Sequence, residues 1–353
     1  MRALSGTEIS KDEMSLPLLS VVVINWNARK YIVNCLKSIL DSDYKNLEVI
    51  LVDNHSEDGS ISLVKELLTQ DELSRISILV NDKNFGAAYA LNQGANAAKG
   101  KYVSFAASDT KIERNCFYEL VKVLESDESI GAVSSKLLMM DEPQRFDSTG
   151  EYLSQYGFLI QRHAGCELDK GQFNQLVEIF SVKGTALTVN KDVFKKAGMF
   201  PEEYFIFLEE TDLCWRIWLS GYRIVFVPNA YIYHASGISI KQSSRKQYLV
   251  KYYGTRNYIF TLLKNFGPKN LVCIVPIHGL MWLGLAVWLC VNMRIKEGWY
   301  VIKGVLWNII YWREILIKRN IIQNRRANSD RELMPKIMRK ISFGYLYDRV
   351  KAW

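Results

Sequence analysis

Blocks of apolar residues alternate with helical patterns through the first third of the chain. Leu18-Leu19-Ser20-Val21-Val22-Val23-Ile24 is β-branched and almost wholly apolar, and it ends on Asn25-Trp26-Asn27. That is the pattern of a strand buried on both faces of a parallel sheet. Ile32, Leu36, Ile39 and Leu40 then recur at helical spacing and predict a helix over 29–40. Strand-like runs over 47–52, 76–80 and 102–106 enclose two further helical segments. One carries Ile61, Val64, Leu67 and Leu68; the other opens at Asn84-Phe85-Gly86 and is built of Ala87, Ala88, Ala90, Gly94, Ala95, Ala97 and Ala98. Residues this small either serve close packing on a sheet or bring helix N-terminal amides near an anion. The repeated alternation predicts an α/β fold, a mostly parallel sheet with helices on both faces and ligands at the carboxyl ends of its strands. Asn25, Asn27, Asp53, Asn84 and Asp109 all fall at that edge.

Farther on, the pattern predicts a helix over 112–124 and strands over 130–138, 180–189 and 221–228, with His234 beyond the last. The segment 139–175 has no clear period, and 161–174 reads as a surface loop able to touch a second substrate. The densest chemistry is Glu209-Glu210-Thr211-Asp212, set between Tyr204-Phe205-Ile206-Phe207-Leu208 and Leu213, Trp215 and Trp218. Negative charge against apolar neighbours is costly unless something answers it, which points to a site. A helix N-terminus favouring anions explains the same residues, and the two explanations are compatible.

With 353 residues the chain exceeds one small core, and its formal charge of +8 is weighted toward the last third. That asymmetry predicts a phosphate-bearing partner, nucleic acid or an anionic membrane face. The six cysteines contain no C-x-x-C pair, which speaks against a zinc site or disulfide framework and for a reducing compartment. No G-x-G-x-x-G follows the first strand, so the dinucleotide fingerprint is missing while a mononucleotide diphosphate remains open. Residues 1–17 are polar and lack the apolar core of a signal peptide, an expectation of a cytosolic first domain. The run 271–293 carries no formal charge and is long enough to cross a hydrocarbon layer of about 30 Å. Next, 298–317 mixes Lys303, Arg313 and Glu314 with Trp299, Tyr300, Trp307, Tyr311 and Trp312, which suits the headgroup boundary. Residues 318–340 are strongly basic. A single span would put them outside the cell, against the positive-inside tendency; a hairpin, or segments lying in the interface, keeps everything on the cytosolic face. Basic residues among apolar and aromatic ones, without a groove-reading module, argue against nucleic acid.

Six motifs in order carry a family resemblance: Val23-Ile24-Asn25-Trp26-Asn27, Val52-Asp53-Asn54-His55-Ser56-Glu57-Asp58-Gly59-Ser60, Asn84-Phe85-Gly86 with Asn92 and Gly94, Ser108-Asp109-Thr110, Gly184-Thr185-Ala186-Leu187, and Glu209-Glu210-Thr211-Asp212-Leu213-Cys214-Trp215-Arg216. Over about 18–240 the chain resembles the inverting glycosyltransferases of family 2, of GT-A fold, and most closely their rhamnosyltransferase-like branch. The resemblance implies transfer of a sugar, with inversion, from a nucleotide-diphosphate donor to an acceptor hydroxyl. It implies a lipid-linked or cell-surface glycan precursor as acceptor, at the cytoplasmic side of the cell membrane. Glu210 takes the place of the general base, where the family more often has Asp; Glu209 and Asp212 support it by orienting the helix, pairing with Arg216 or contacting the acceptor. Asp53 corresponds to the carboxylate that recognises the nucleobase, and Asn25, Asn27, Asn84 and Gly86 belong to the same nucleotide-sugar edge. Asp109 matches the metal-binding Asp of a D-x-D motif and His234 a further ligand of a divalent cation, Mn or Mg; Lys241 and Arg245 could close over the diphosphate.

Ala107 stands where that motif usually begins with Asp or Asn. Together with Glu at 210 it motivates a competing expectation, a degenerate homologue that holds a nucleotide sugar or a partner enzyme without turnover. The chain divides into a polar tail (1–17), a GT-A domain (18–245), a helical membrane-associated region (246–317) and a basic tail (318–353).

Overall fold

A computed structural model describes residues 16–163, 167–235, 247–342 and 344. Lys241 and Arg245, and most of the polar N-terminal stretch, lie outside the described residues. Strands β1 (Leu19–Asn25), β2 (Leu47–Asp53), β3 (Ile76–Val80) and β4 (Tyr102–Ala107) pair in parallel in the order β3-β2-β1-β4. Asn25 stands opposite Asp53 and Ile24 opposite Ala107, so the strands end level. Helices α1 (Ile32–Leu40), α2 (Ser60–Leu67), α3 (Gln70–Ser74), α4 (Ala87–Ala97) and α5 (Cys116–Ser126) connect and follow them. Ile32, Leu36 and Ile39 of α1 enter one core with Leu120 and Leu124 of α5, while Ala88, Ala90 and Ala95 of α4 enter the other. The sheet is therefore covered on both faces.

The second half completes the sheet with reversed strands. β6 (Ile130–Met139), β10 (Val177–Glu178), β11 (Leu187–Asn190) and β12 (Arg223–His234) extend it as β10-β12-β6-β11-β4, with β11 antiparallel to both neighbours and β12 parallel to β6. Short strands β5 (Thr110–Ile112) and β7 (Phe146–Ser148) pair with β12 and β6. β8 (Glu151–Ser154) and β9 (Leu159–Gln161) form a separate hairpin, joined in parallel by β13 (Met338–Arg339). Helices α6 (Lys191–Lys196) and α7 (Glu209–Leu219) precede β12, and α8 (Gln247–Asn265), α9 (Pro268–Val291), α10 (Ile295–Ile310), α11 (Trp312–Asn324) and α12 (Asp330–Ile337) end the described chain.

Two expectations need correcting. The helix predicted over 112–124 begins only at Cys116, because Ile112 is drawn into β5 and buried against β12. The strand predicted over 180–189 shortens to Leu187–Asn190; before it the chain leaves the sheet in a tight 3-10 turn, Gly184–Ala186, that wraps the acidic motif. In the basic segment, Leu333 and Ile337 are buried in the same core as Trp218, and Asn328 donates a hydrogen bond to Trp218 O at 2.9 Å. Its charges lie on the outer side of a packed helix, since apolar positions four apart on α12 give it a face to bury.

Candidate active site

At the carboxyl ends of β1 and β4 a cavity of about 530 Å³ opens. Ala107-Ser108-Asp109 form one rim, Asn54, Asn84 and Gly86 another, Lys183-Gly184-Thr185 a third. Glu209 and Glu210 face it from α7, and Leu249, Val250 and Tyr253 close it from α8.

The loop that delivers Glu209 and Glu210 is strained. Phe205, Phe207 and Leu208 have φ of 61°, 71° and 68°, a region costing an ordinary residue about 1–3 kcal/mol. Asn257 of α8 fixes them: its Nδ2 donates to Ile206 O and Phe207 O at 2.9 Å and to Tyr204 O at 3.2 Å. Arg256 adds a bond to Tyr204 O at 3.1 Å. Gly86 meets this loop so closely that a Cβ there would lie 2.6 Å from Phe205 O.

Glu210 is half-buried. Its Oε1 accepts the Gly184 amide at 3.3 Å, while Oε2, sealed from solvent, has no partner. Burial pushes its carboxyl above the usual range against the pull of that amide and of Lys183. Glu209 is raised further, by burial and by the neighbouring Glu210, and its Oε2 is likewise unpartnered. Behind them Glu151 is held at about 7 by burial and the charge of Glu210; Ser181 Oγ lies 3.2 Å from its Oε2 and 3.1 Å from Thr211 Oγ1 on α7.

Asp212 does not join them. It is fully buried on the other side of α7, with Arg216 Nε at 2.8 Å, Lys264 Nζ at 3.1 Å, Asn265 Nδ2 at 2.7 Å and Tyr204 OH at 3.3 Å. Burial opposes its ionisation, but Lys264 and Arg216 outweigh it and hold the carboxyl at about 2. The pairing with Arg216 anticipated from the sequence is present, and it anchors the helix.

A second charged cluster adjoins the cavity through Asp109 and Lys183. His234 Nε2 lies 3.4 Å from Asp109 Oδ1, and His234 Nδ1 lies 2.8 Å from Asp147 Oδ2. Asp147 also takes Lys183 Nζ on both oxygens at 2.7 Å. Burial works against protonation of His234, yet the bonds to Asp109 and Asp147 outweigh it and raise its pKa. Asp109 and His234 are the two donors a hard cation would find; among the described residues no group of three or more His, Cys, Asp or Glu is gathered for a metal. Two protein donors fit a cation whose remaining positions go to phosphate oxygens and water. Asp147, absent from the sequence expectations, meets His234 as an outer-shell carboxylate meets a ligand histidine.

The nucleotide-edge residues divide. Asn84 and Gly86 line the cavity, with Asn54 holding them: its Nδ2 donates to Asn84 Oδ1 at 2.9 Å and to Gly86 O at 3.1 Å. Asn25 and Asp53 are buried, and Asn25 Nδ2 donates to Asp53 Oδ1 at 2.8 Å while the Ser56 amide donates to Oδ2 at 3.1 Å. Asn27 accepts the Glu57 amide at 2.8 Å. None of these three side chains lines the cavity; they shape the 54–59 loop beside it. The amide of Ala87 donates to Phe205 O at 2.7 Å, so the small-residue helix serves close packing: a Cβ on Gly94 would lie 2.3 Å from Val22 Cγ1.

Sheet, cavity and acidic helix together define the class, a glycosyltransferase of GT-A fold. Residues 20–194 match the family described as Glycosyl transferase family 2, and the chain belongs to it. Glycosyltransferase GlyG of Streptococcus pneumoniae serotype 4 (strain ATCC BAA-334 / TIGR4) is 29% identical over 233 residues, 64% of this chain and 73% of that one. TuaG of Bacillus subtilis (strain 168), named for teichuronic acid biosynthesis, is 38% identical over 154 residues, 44% of this chain and 52% of its own length. The mannosyltransferase PcManGT from Pyrobaculum calidifontis, solved with GDP-Man and Mn2+, shares the fold with a TM-score of 0.53 at 18% identity, over 84% of this chain and 88% of that one.

Proposed function

We propose that this chain transfers a sugar from a nucleotide-diphosphate donor to an acceptor hydroxyl with inversion, on a lipid-linked or cell-surface glycan precursor at the cytoplasmic membrane face. The observation that carries the reading is Glu210, which lines the cavity together with Asp109 and leaves its Oε2 without a hydrogen-bond partner. An oxygen that accepts no hydrogen bond is free to take the acceptor proton, and a pKa raised by burial strengthens the carboxylate as a base. As the proton leaves, the acceptor oxygen bonds to the anomeric carbon from the side opposite the diphosphate, whose bond breaks; inversion follows. Charge gathers on the departing diphosphate, and Lys183, on the cavity wall, would lend it positive charge. A divalent cation held by Asp109 and His234 would supply further positive charge there, and PcManGT, of the same fold, was solved with Mn2+ and a nucleotide sugar. TuaG, named for teichuronic acid biosynthesis, supports a glycan acceptor.

The test is thermal stabilisation by UDP, GDP, dTDP and ADP, each with and without manganese. A ligand at a hundred times its dissociation constant adds about 2.7 kcal/mol. One nucleotide is expected to stabilise, more strongly with metal; no shift with any of them would overturn the reading.

A further inference from the structure

Helix α9 is long and apolar enough to cross a membrane, yet it is committed to the protein along one side. Ile274, His278, Trp282, Leu285 and Leu289 are buried at helical spacing. Midway, His278 Nδ1 lies 2.8 Å from Tyr156 O, in the turn between β8 and β9, and Trp282 Nε1 donates to His278 Nε2 at 2.9 Å. The Phe158 ring packs on His278 with centroids 4.2 Å apart. A spanning α9 would drag this polar hairpin turn to mid-membrane depth, where lipid offers its backbone groups no partners.

The opposite side of α9 is bare: Val272, Leu280, Val287 and Val291 are 72%, 68%, 64% and 75% exposed. Exposed apolar residues continue through Ile309 and Ile310 of α10 and Ile317 of α11, far beyond the scattered apolar positions of a soluble surface. Around them stand rings paired with cations, Lys303 over Tyr300 at 4.8 Å and Arg313 over Trp312 at 5.5 Å. Residues 268–342 hold thirteen Lys and Arg against four Asp and Glu. Apolar surface edged by aromatic rings and cations is the chemistry of an anionic lipid surface.

We infer that α9, α10 and α11 seat the protein in a single leaflet of an anionic membrane, apolar side down, with α9 lying along the surface instead of crossing. The inference rests on the membrane-face part of the function proposed above.

The test places spin labels, one at a time, at Val272→Cys, Leu280→Cys, Val287→Cys and Val291→Cys in the full chain, with Cys166, Cys273 and Cys290 changed to Ala. Cys35, Cys116 and Cys214 are buried. Vesicles are phosphatidylcholine alone or with about a third phosphatidylglycerol, and nucleotide-induced stabilisation verifies that each variant is folded. All four labels are expected at one shallow depth, with binding about tenfold weaker to phosphatidylcholine alone. Bound protein whose depth peaks at Leu280 and is shallow at Val272 and Val291 would mean a spanning helix and sink this inference alone. Failure to bind either vesicle would sink the membrane-face reading with it.

Discussion

The two ends of the acidic motif on α7 share a helix, a charge and four residues of sequence, yet meet opposite fates. Glu209 and Glu210 reach a cavity with oxygens left unpartnered and pKa values raised by burial. Asp212, more deeply buried than either, is held at about 2 because two cations and an amide meet it. Burial alone therefore does not make a reactive carboxylate; what counts is whether the surroundings answer the charge. Residues two apart on a helix point about 200° from one another, so Glu210 and Asp212 cannot serve the same pocket.

The sharpest way to break this comparison is to swap which end matters. Glu210→Gln is expected to lower sugar transfer about a thousandfold, near 4 kcal/mol, while nucleotide binding by calorimetry stays intact. An unchanged turnover number would remove Glu210 from the chemistry. Asp212→Asn should act the other way. It leaves Arg216 and Lys264 facing each other in the interior and is expected to cost about 3 kcal/mol in denaturant unfolding, with turnover per folded molecule preserved. If stability were preserved and turnover lost, the assignments of the two ends would be exchanged.

What the sequence could disclose follows the same physics. The parallel strands were legible because burial on both faces leaves an uninterrupted apolar run, as in Val21-Val22-Val23-Ile24. The acidic motif singled out Glu209, Glu210 and Asp212 together, and it did not tell which of them would meet cations in the interior. Asp147 was not legible, because it lies in a three-residue strand whose only support is long-range pairing with β6. The strained loop at Phe205, Phe207 and Leu208 was invisible too, since its conformation is imposed by Asn257, fifty residues farther on. The Thr255-Arg256-Asn257 run inside α8 was the available signal.

Glu151 sharpens the comparison through pH. Between about 4.5 and about 7 the folded chain keeps a proton on Glu151 that the unfolded chain has released, so this group makes stability fall as pH rises through that window. Glu151→Gln should abolish that slope and stabilise the protein by about 2 kcal/mol at pH 8, with little effect at pH 4. Urea unfolding at the two pH values reads this directly, and equal slopes for both proteins would mean Glu151 titrates normally. Asp212 contributes the reverse dependence, with stability lost only as pH falls from 3.8 through about 2.

The smallest expected effect concerns the cluster of Asp109, His234, Asp147 and Lys183. Asp147 holds His234 through Nδ1 and Lys183 through both oxygens, so it sets where an imidazole Nε2 and an ammonium can point. Asp147→Asn keeps the shape but weakens both bonds, and outer-shell changes of this kind cost about tenfold in metal affinity. The manganese-dependent gain in nucleotide affinity is therefore expected to shrink about tenfold, while affinity in the presence of a chelator falls less. Like Asp212, Asp147 is a fully answered carboxylate, but it sits beside the cavity. If Asp147→Asn altered stability and left the manganese gain intact, satisfied carboxylates on both sides of the cavity would be anchors, and only the unanswered ones would work on substrate.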